Sequence, residues 1–253
     1  YSWPERGLAH PGIMIYNKDV LRKAGLDPVP PKTWAEFKEI CRKVTEAGKG
    51  QYYGLILGGR DDGVQALRYL GITADPYQDA DWSTVSGLAF WDYKTGEYKF
   101  DSEETYEALK FIIDMKKEGY IFPGSTSITK AEARNMWALG AAAFHIEPQW
   151  CIRATVINDP HVDFGVTHLP VPEEGKKAYF PGSFAKADYY VSAKTKYPKE
   201  VGIFIDEVLT GEVTFRGLIE GGVVLTSNAI WNNRTDLYPT PQFQKYVELA
   251  KEN

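Results

Sequence analysis

The sequence predicts an α/β fold, because short apolar runs alternate with helical patterns along most of its length. Two S/T-x-x-E signatures, Thr33 to Glu36 and Thr129 to Glu132, mark firm helix starts. Between residues 140 and 150 a small-residue apolar run, Ala143-Phe144-His145-Ile146, leads through Glu147-Pro148-Gln149 to Trp150. That run reads as a buried strand, with Pro148 pinning the first turn of a helix that holds Trp150. Side chains at such a strand-to-helix turn sit at the mouth of an α/β sheet, where ligands bind.

Gly12 to Tyr16 reads as a strand, and Asn17 as the cap of a short helix ending at Gly25. Pro28, Pro30 and Pro31 make a stiff extended linker. Behind Thr33, residues Phe37, Ile40, Cys41, Val44 and Ala47 recur at helical spacing until Gly48. Tyr52 to Leu57 reads as a strand and Gly58-Gly59 as a loop. Asp61 or Asp62 then caps a helix reaching about Leu70.

The segments 88–92 and 97–100 flank Tyr93-Lys94-Thr95-Gly96 as the arms of a hairpin. Ser102 starts a helix whose apolar face is expected to be Tyr106, Leu109, Ile112 and Ile113, with Gly119 as its stop. Thr129 opens a helix running toward Leu139. Val162 to Leu169 and Asp188 to Ala193 read as strands, and Pro172 to Gly175 as a turn. Helices are expected from Pro198, with Val201, Phe204, Ile205 and Val208 inward, around Phe215 to Ile219, and around Phe243 to Ala250.

The chain has 253 residues, 43% hydrophobic and 25% charged, with a net charge of -5. Such a chain can bury a substantial core, and it lacks the basic surplus of a nucleic-acid or anionic-membrane partner. Seven Trp and 16 Tyr raise the aromatic share to 14%. Rings with a polar edge suit flat apolar faces such as those of sugars. Cys41 and Cys151 form no metal motif and are expected buried and unpaired. No apolar run is long enough to span a bilayer, and the first residues lack signal-peptide regions and a Met, as in a mature or truncated chain.

The sequence carries no phosphate loop, dinucleotide fingerprint or nucleophile elbow. The four histidines lack metal-site spacing, so neither metal nor cofactor is expected. His145 and Glu147, two apart, share one face of a strand and form either a structural pair or an acid-base pair.

Ile15-Tyr16-Asn17-Lys18-Asp19, Lys23-Ala24-Gly25-Leu26-Asp27 and Pro30 to Phe37, followed in order by the stretch to Trp150, Phe164-Gly165-Val166, Leu169-Pro170 and Gly221 to Thr226, resemble extracellular solute-binding proteins of family 1. These are the sugar-capturing components of ABC importers, with maltose-binding protein as a distant relative. The resemblance implies a type II periplasmic-binding-protein-like fold in which one near-complete lobe, residues 1–183, is followed by part of a second, residues 184–253. The second lobe's opening segment and the final helices are expected to be missing.

Carried over residue by residue, the resemblance makes Trp150 a sugar-stacking ring, with Glu147 and Gln149 as polar neighbours. It places Arg60 and Asp61 in a ligand-contacting loop, His10 near the first lobe crossing, and Phe180 and Gly182 before the second. Glu147-Pro148-Gln149-Trp150 departs from the family's usual small residue or Asn before Pro-Trp. The function implied is a non-catalytic, monomeric, extracytoplasmic receptor that closes on a carbohydrate and delivers it to membrane permease subunits. The alternative is a carbohydrate-active enzyme using an acid pair such as Asp61 and Glu147.

Overall fold

The computed structural model describes residues 2–4, 12–61, 70, 91–92, 97–98, 101, 103–176, 188–210 and 240–251. Its centre is a mixed four-stranded sheet built from β2 (Gly12–Asn17), β3 (Tyr53–Ile56), β6 (Ala142–Pro148) and β7 (Phe164–Thr167), in the order β3-β6-β2-β7. Strand β2 runs antiparallel to both β6 and β7, whereas β3 and β6 are parallel. Two small antiparallel pairs complete the strands. One joins β1 (Ser2–Pro4) to β8 (Asp188–Tyr190); the other is the expected hairpin of β4 (Trp91–Asp92) and β5 (Glu97–Tyr98).

Strand β6 is central and all seven of its residues are buried, as a strand covered on both faces must be. Its register sets Ile146 opposite Met14, Phe144 opposite Tyr16, His145 opposite Ile15 and Glu147 opposite Ile13. The period of two therefore sends His145 and Glu147 to the sheet face carrying Ile13 and Ile15.

The other face is covered by helices α1 (Lys18–Lys23), α2 (Trp34–Gly48) and α3 (Glu103–Lys117). Asn17 caps α1 by accepting from the backbone of Asp19 and Val20, and Thr33 with Glu36 forms the expected capping box of α2. The α2 stripe Phe37, Cys41 and Val44 is fully buried, and the Phe37 ring meets Phe144 edge-on at 5.1 Å. On α3 the inward stripe is Ala108, Phe111, Ile112 and Met115, with Phe111 stacked on Trp34 at 4.8 Å. The expected face is corrected there: Tyr106, Leu109 and Ile113 are 61%, 42% and 39% exposed. Both sets recur at helical spacing, and the packing of Phe111 on Trp34 selects the face of 108, 111, 112 and 115.

The face carrying His145 and Glu147 is covered by α4 (Lys130–Ala138), α5 (Cys151–Asn158) and α7 (Pro241–Lys251). Trp137 of α4 is fully buried, donates its indole N–H to the Ala143 carbonyl at 3.1 Å and meets Phe164 edge-on. Gly140, at φ 89°, makes the left-handed turn that carries α4 into β6. Cys151 and Cys41 are buried and free.

The strand-to-helix boundary after β6 differs from expectation. Pro148 is the last strand residue, paired with Gly12, and α5 begins only at Cys151. Its ring forgoes a ladder N–H without cost at a strand end, so it closes β6 rather than opening the helix. Strands β3, β7 and β8 are shorter than expected, with β7 and β8 stopping at Thr167 and Tyr190, whereas β2 runs one residue further, to Asn17.

Helix α6 (Pro198–Thr210) starts at Pro198 as expected; Ile205 is buried, but Phe204 is 64% exposed. Two contacts cross the expected division at residues 183 and 184. Strand β1 pairs with β8, and Phe243, Tyr246 and Val247 of α7 pack with Phe164 and Val166 of the central sheet. The expected helix around Phe215 to Ile219, and the course of the chain from Asp62 to about Leu70, lie outside the described residues apart from Leu70 itself.

Candidate functional site

Glu147 sits at the outer end of β6 and is 1% exposed. Its Oε1 accepts from Arg134 Nη1 at 2.7 Å, and its Oε2 lies 3.2 Å from His145 Nε2. His145 Nδ1 lies 3.0 Å from the Ile56 carbonyl, which can only accept, so Nδ1 carries a hydrogen. The Nε2–Oε2 contact then requires a shared proton between imidazole and carboxyl. Burial alone would raise the Glu147 carboxyl, but the His145 hydrogen bond and charge, Arg134 and the Trp150 indole together hold it below its ordinary value.

Trp150 lies in the turn between β6 and α5, partly exposed, and its Nε1 donates to Glu147 Oε1 at 3.2 Å. Lys130 Nζ lies 5.7 Å from the ring centroid, within cation–π range. The indole is thus fixed along one edge and by a cation on its π system.

The turn at residues 59–61 approaches the start of α4. Asp61 Oδ1 accepts from the Lys130 backbone N–H at 2.8 Å, and the Arg60 N–H donates to the Ile128 carbonyl. The helical turn begins at Gly59, so Asp61 caps the neighbouring helix α4 rather than its own. Gly58 permits this approach, because a Cβ there would lie 2.2 Å from the Lys130 backbone nitrogen.

These elements enclose a groove of about 410 Å³ lined by Asp61, Lys130, Arg134, Glu147, Trp150 and Arg153, with Ala131, Ala154 and Ile157. Of the residues singled out in the sequence, Trp150, Asp61 and Glu147 come together here. Arg60 is exposed on the adjoining turn and is not among the lining residues. Gln149, expected beside the ligand, is fully buried beneath the turn, and Glu147 is likewise buried with both oxygens engaged. His10, Phe180 and Gly182 lie outside the described residues.

Lys130, Arg134 and Arg153 were missed in the sequence. The signal was present in spacing: Lys130 and Arg134 are four apart on one helix, and Arg153 follows Trp150 by three. Among the described residues no group of His, Cys, Asp or Glu has the arrangement of a metal site, and no helix is long and apolar enough to cross a membrane.

A mixed α/β sheet with helices on both faces is the fold of the type II periplasmic-binding-protein class. Solved structures share it: a chitin oligosaccharide binding protein at TM-score 0.72 and 19% identity, covering 99% of this chain and 59% of its own; and a Bacillus licheniformis sugar transporter protein in complex with stachyose at 0.71 and 19%, covering 98% and 61%. The model of the bacterial extracellular solute-binding protein family matches residues 5–214, and the chain belongs to that family. A probable ABC transporter-binding protein of Deinococcus radiodurans is 25% identical over 246 residues, 94% of this chain and 54% of its own length. The sn-glycerol-3-phosphate-binding periplasmic protein UgpB of Brucella abortus is 28% identical over 179 residues, 67% of this chain and 36% of its own. The chain therefore spans about half the length of the relatives it matches.

Proposed function

We propose that the chain supplies one ligand-binding wall of an extracytoplasmic receptor that captures a carbohydrate and hands it to an ABC permease. The observation carrying this reading is the partly exposed Trp150, fixed by its hydrogen bond to Glu147 at the edge of the groove. A ring held this way meets the C–H face of a sugar without first losing rotamer freedom, while Asp61 at the rim offers a carboxylate to hydroxyls.

The proposed lobes are residues 12–183 with α7, and the remainder from 184. The β1–β8 pairing and the packing of α7 on Phe164 and Val166 support this division. Family membership and a relative named as a periplasmic binding protein support a receptor outside the cytoplasmic membrane; that it acts as a monomer is part of the proposal.

The alternative is the acid-pair enzyme. That reading finds no support at Glu147, which is held below its ordinary value with both oxygens occupied and so is unsuited to act as the general acid. A thermal-shift screen of the intact protein against a sugar panel tests the proposal, because a ligand that binds only the native state raises the melting temperature. A panel without a single shift contradicts it.

A further inference from the structure

Among the described residues, one cation on the groove wall beside Trp150, Arg153, has no ionic partner. Arg134 is matched by the buried Glu147 carboxylate, which also bonds His145, and the Asp61 carboxylate caps α4. Arg153 is partly buried on the groove wall, and among the described residues its guanidinium makes no hydrogen bond or ion pair. It also stands in the first turn of α5, where the helix dipole is positive, and that turn has neither an acidic residue nor a side-chain cap. A cation there is unfavourable for the helix. Lys130 lies against the Trp150 ring, its Nζ 5.7 Å from the ring centroid.

Trp150, Arg153, Ala154 and Ile157 share one face of α5, and that face lines the groove. A ring lying on Trp150 therefore brings its substituents within reach of Arg153. A partly desolvated guanidinium with five donors is satisfied by a planar or tetrahedral oxyanion, and a neutral hydroxyl offers it no charge.

From this juxtaposition we infer that the groove selects carbohydrates bearing an anionic group, carboxylate or phosphate, seated on Arg153 beside the Trp150 ring. The inference rests on the proposed carbohydrate-receptor reading and narrows its ligand class. Arg153 sets preference here, while Trp150 supplies the platform shared by charged and neutral sugars.

The test is isothermal titration of the intact protein with matched ligands that differ in one group: glucose, glucuronate and glucose 6-phosphate, and galacturonate-containing against galactose-containing disaccharides. The charged member of a pair is expected to bind about tenfold tighter or more, the effect of one charge-assisted hydrogen bond, with the advantage shrinking in high salt. The glucuronate and phosphate arms decide which oxyanion is preferred. In Arg153→Gln, with its melting temperature checked, the charged-to-neutral ratio falls toward one. Neutral sugars binding as tightly as their charged partners would overturn the anion preference while leaving the receptor reading intact. A ratio unchanged in Arg153→Gln would overturn the role of Arg153. Failure of every sugar, charged and neutral, would overturn both readings.

Discussion

The indole N–H of Trp150 donates to Glu147 Oε1 at 3.2 Å, and the same oxygen accepts from Arg134 at 2.7 Å. One buried carboxylate thus ties the exposed ring to α4 and, through its other oxygen and His145, to the Ile56 carbonyl of β3. The ring's position is set by groups that a ligand need not touch. Such a network is stable only while complete, since a buried charge left alone costs more than a pair contributes.

Glu147→Gln is therefore expected to destabilise the fold by about 3 kcal/mol, by leaving Arg134 and His145 without their shared anion. Denaturant unfolding of both proteins measures it. A change below about 0.5 kcal/mol would mean that Arg134 and His145 find other partners.

The same carboxylate gives a pH signature. Its folded pKa lies below the ordinary 4.5, so the unfolded chain binds the proton more readily. The stability it contributes is fully present above that ordinary value and is lost as pH falls through it toward the lower folded value. Exposed carboxylates such as Asp163 shift in the same direction in both proteins. The melting temperature of the wild type should thus fall more steeply below pH 4.5 than that of Glu147→Gln, and parallel curves would refute this.

Much of the fold was legible because it rests on local chemistry. Both capping boxes, the Asn17 cap and the runs of β2, β3 and β6 depend on neighbours within four residues, and such patterns survive in sequence. The inward face of α3 was not legible. Its rotation is set by the Trp34–Phe111 stack, a contact 77 positions apart in the chain. The site divided along the same line. Trp150 stood out by its place after a strand, whereas Arg134 and Arg153 gained meaning only when β6 and two helices were brought together. The placement of Gln149 under the turn depends on Pro148 ending the strand, a choice between two ordinary uses of proline.

Asp61→Ala removes the acceptor at the start of α4 and should cost about 1 kcal/mol, the worth of a helix cap. Asp61→Asn retains an acceptor and should recover most of that. Gly58→Ala is expected to cost more than Asp61→Ala, because its Cβ would press on the Lys130 backbone at 2.2 Å and separate the turn from the helix. Thermal unfolding of the three variants ranks them, and Gly58→Ala matching the wild type would show that the turn is free to shift.

Burial pushes both thiols well above their ordinary values, so neither Cys41 nor Cys151 presents a thiolate in the native state. A thiol reagent should react slowly with the folded protein and titrate two groups once it is unfolded without reductant. Rapid native labelling, or no free thiol after unfolding, would contradict this.

Trp150 as the sugar platform is most directly tested by isothermal titration of the intact protein and its Trp150→Ala variant with the tightest sugar from the screen. Truncation removes the stacked ring and is expected to weaken binding about tenfold or more, with Trp150→Phe lying between. Affinity within about twofold of wild type in Trp150→Ala, in a protein that still folds, would contradict the account and move the binding surface away from this groove.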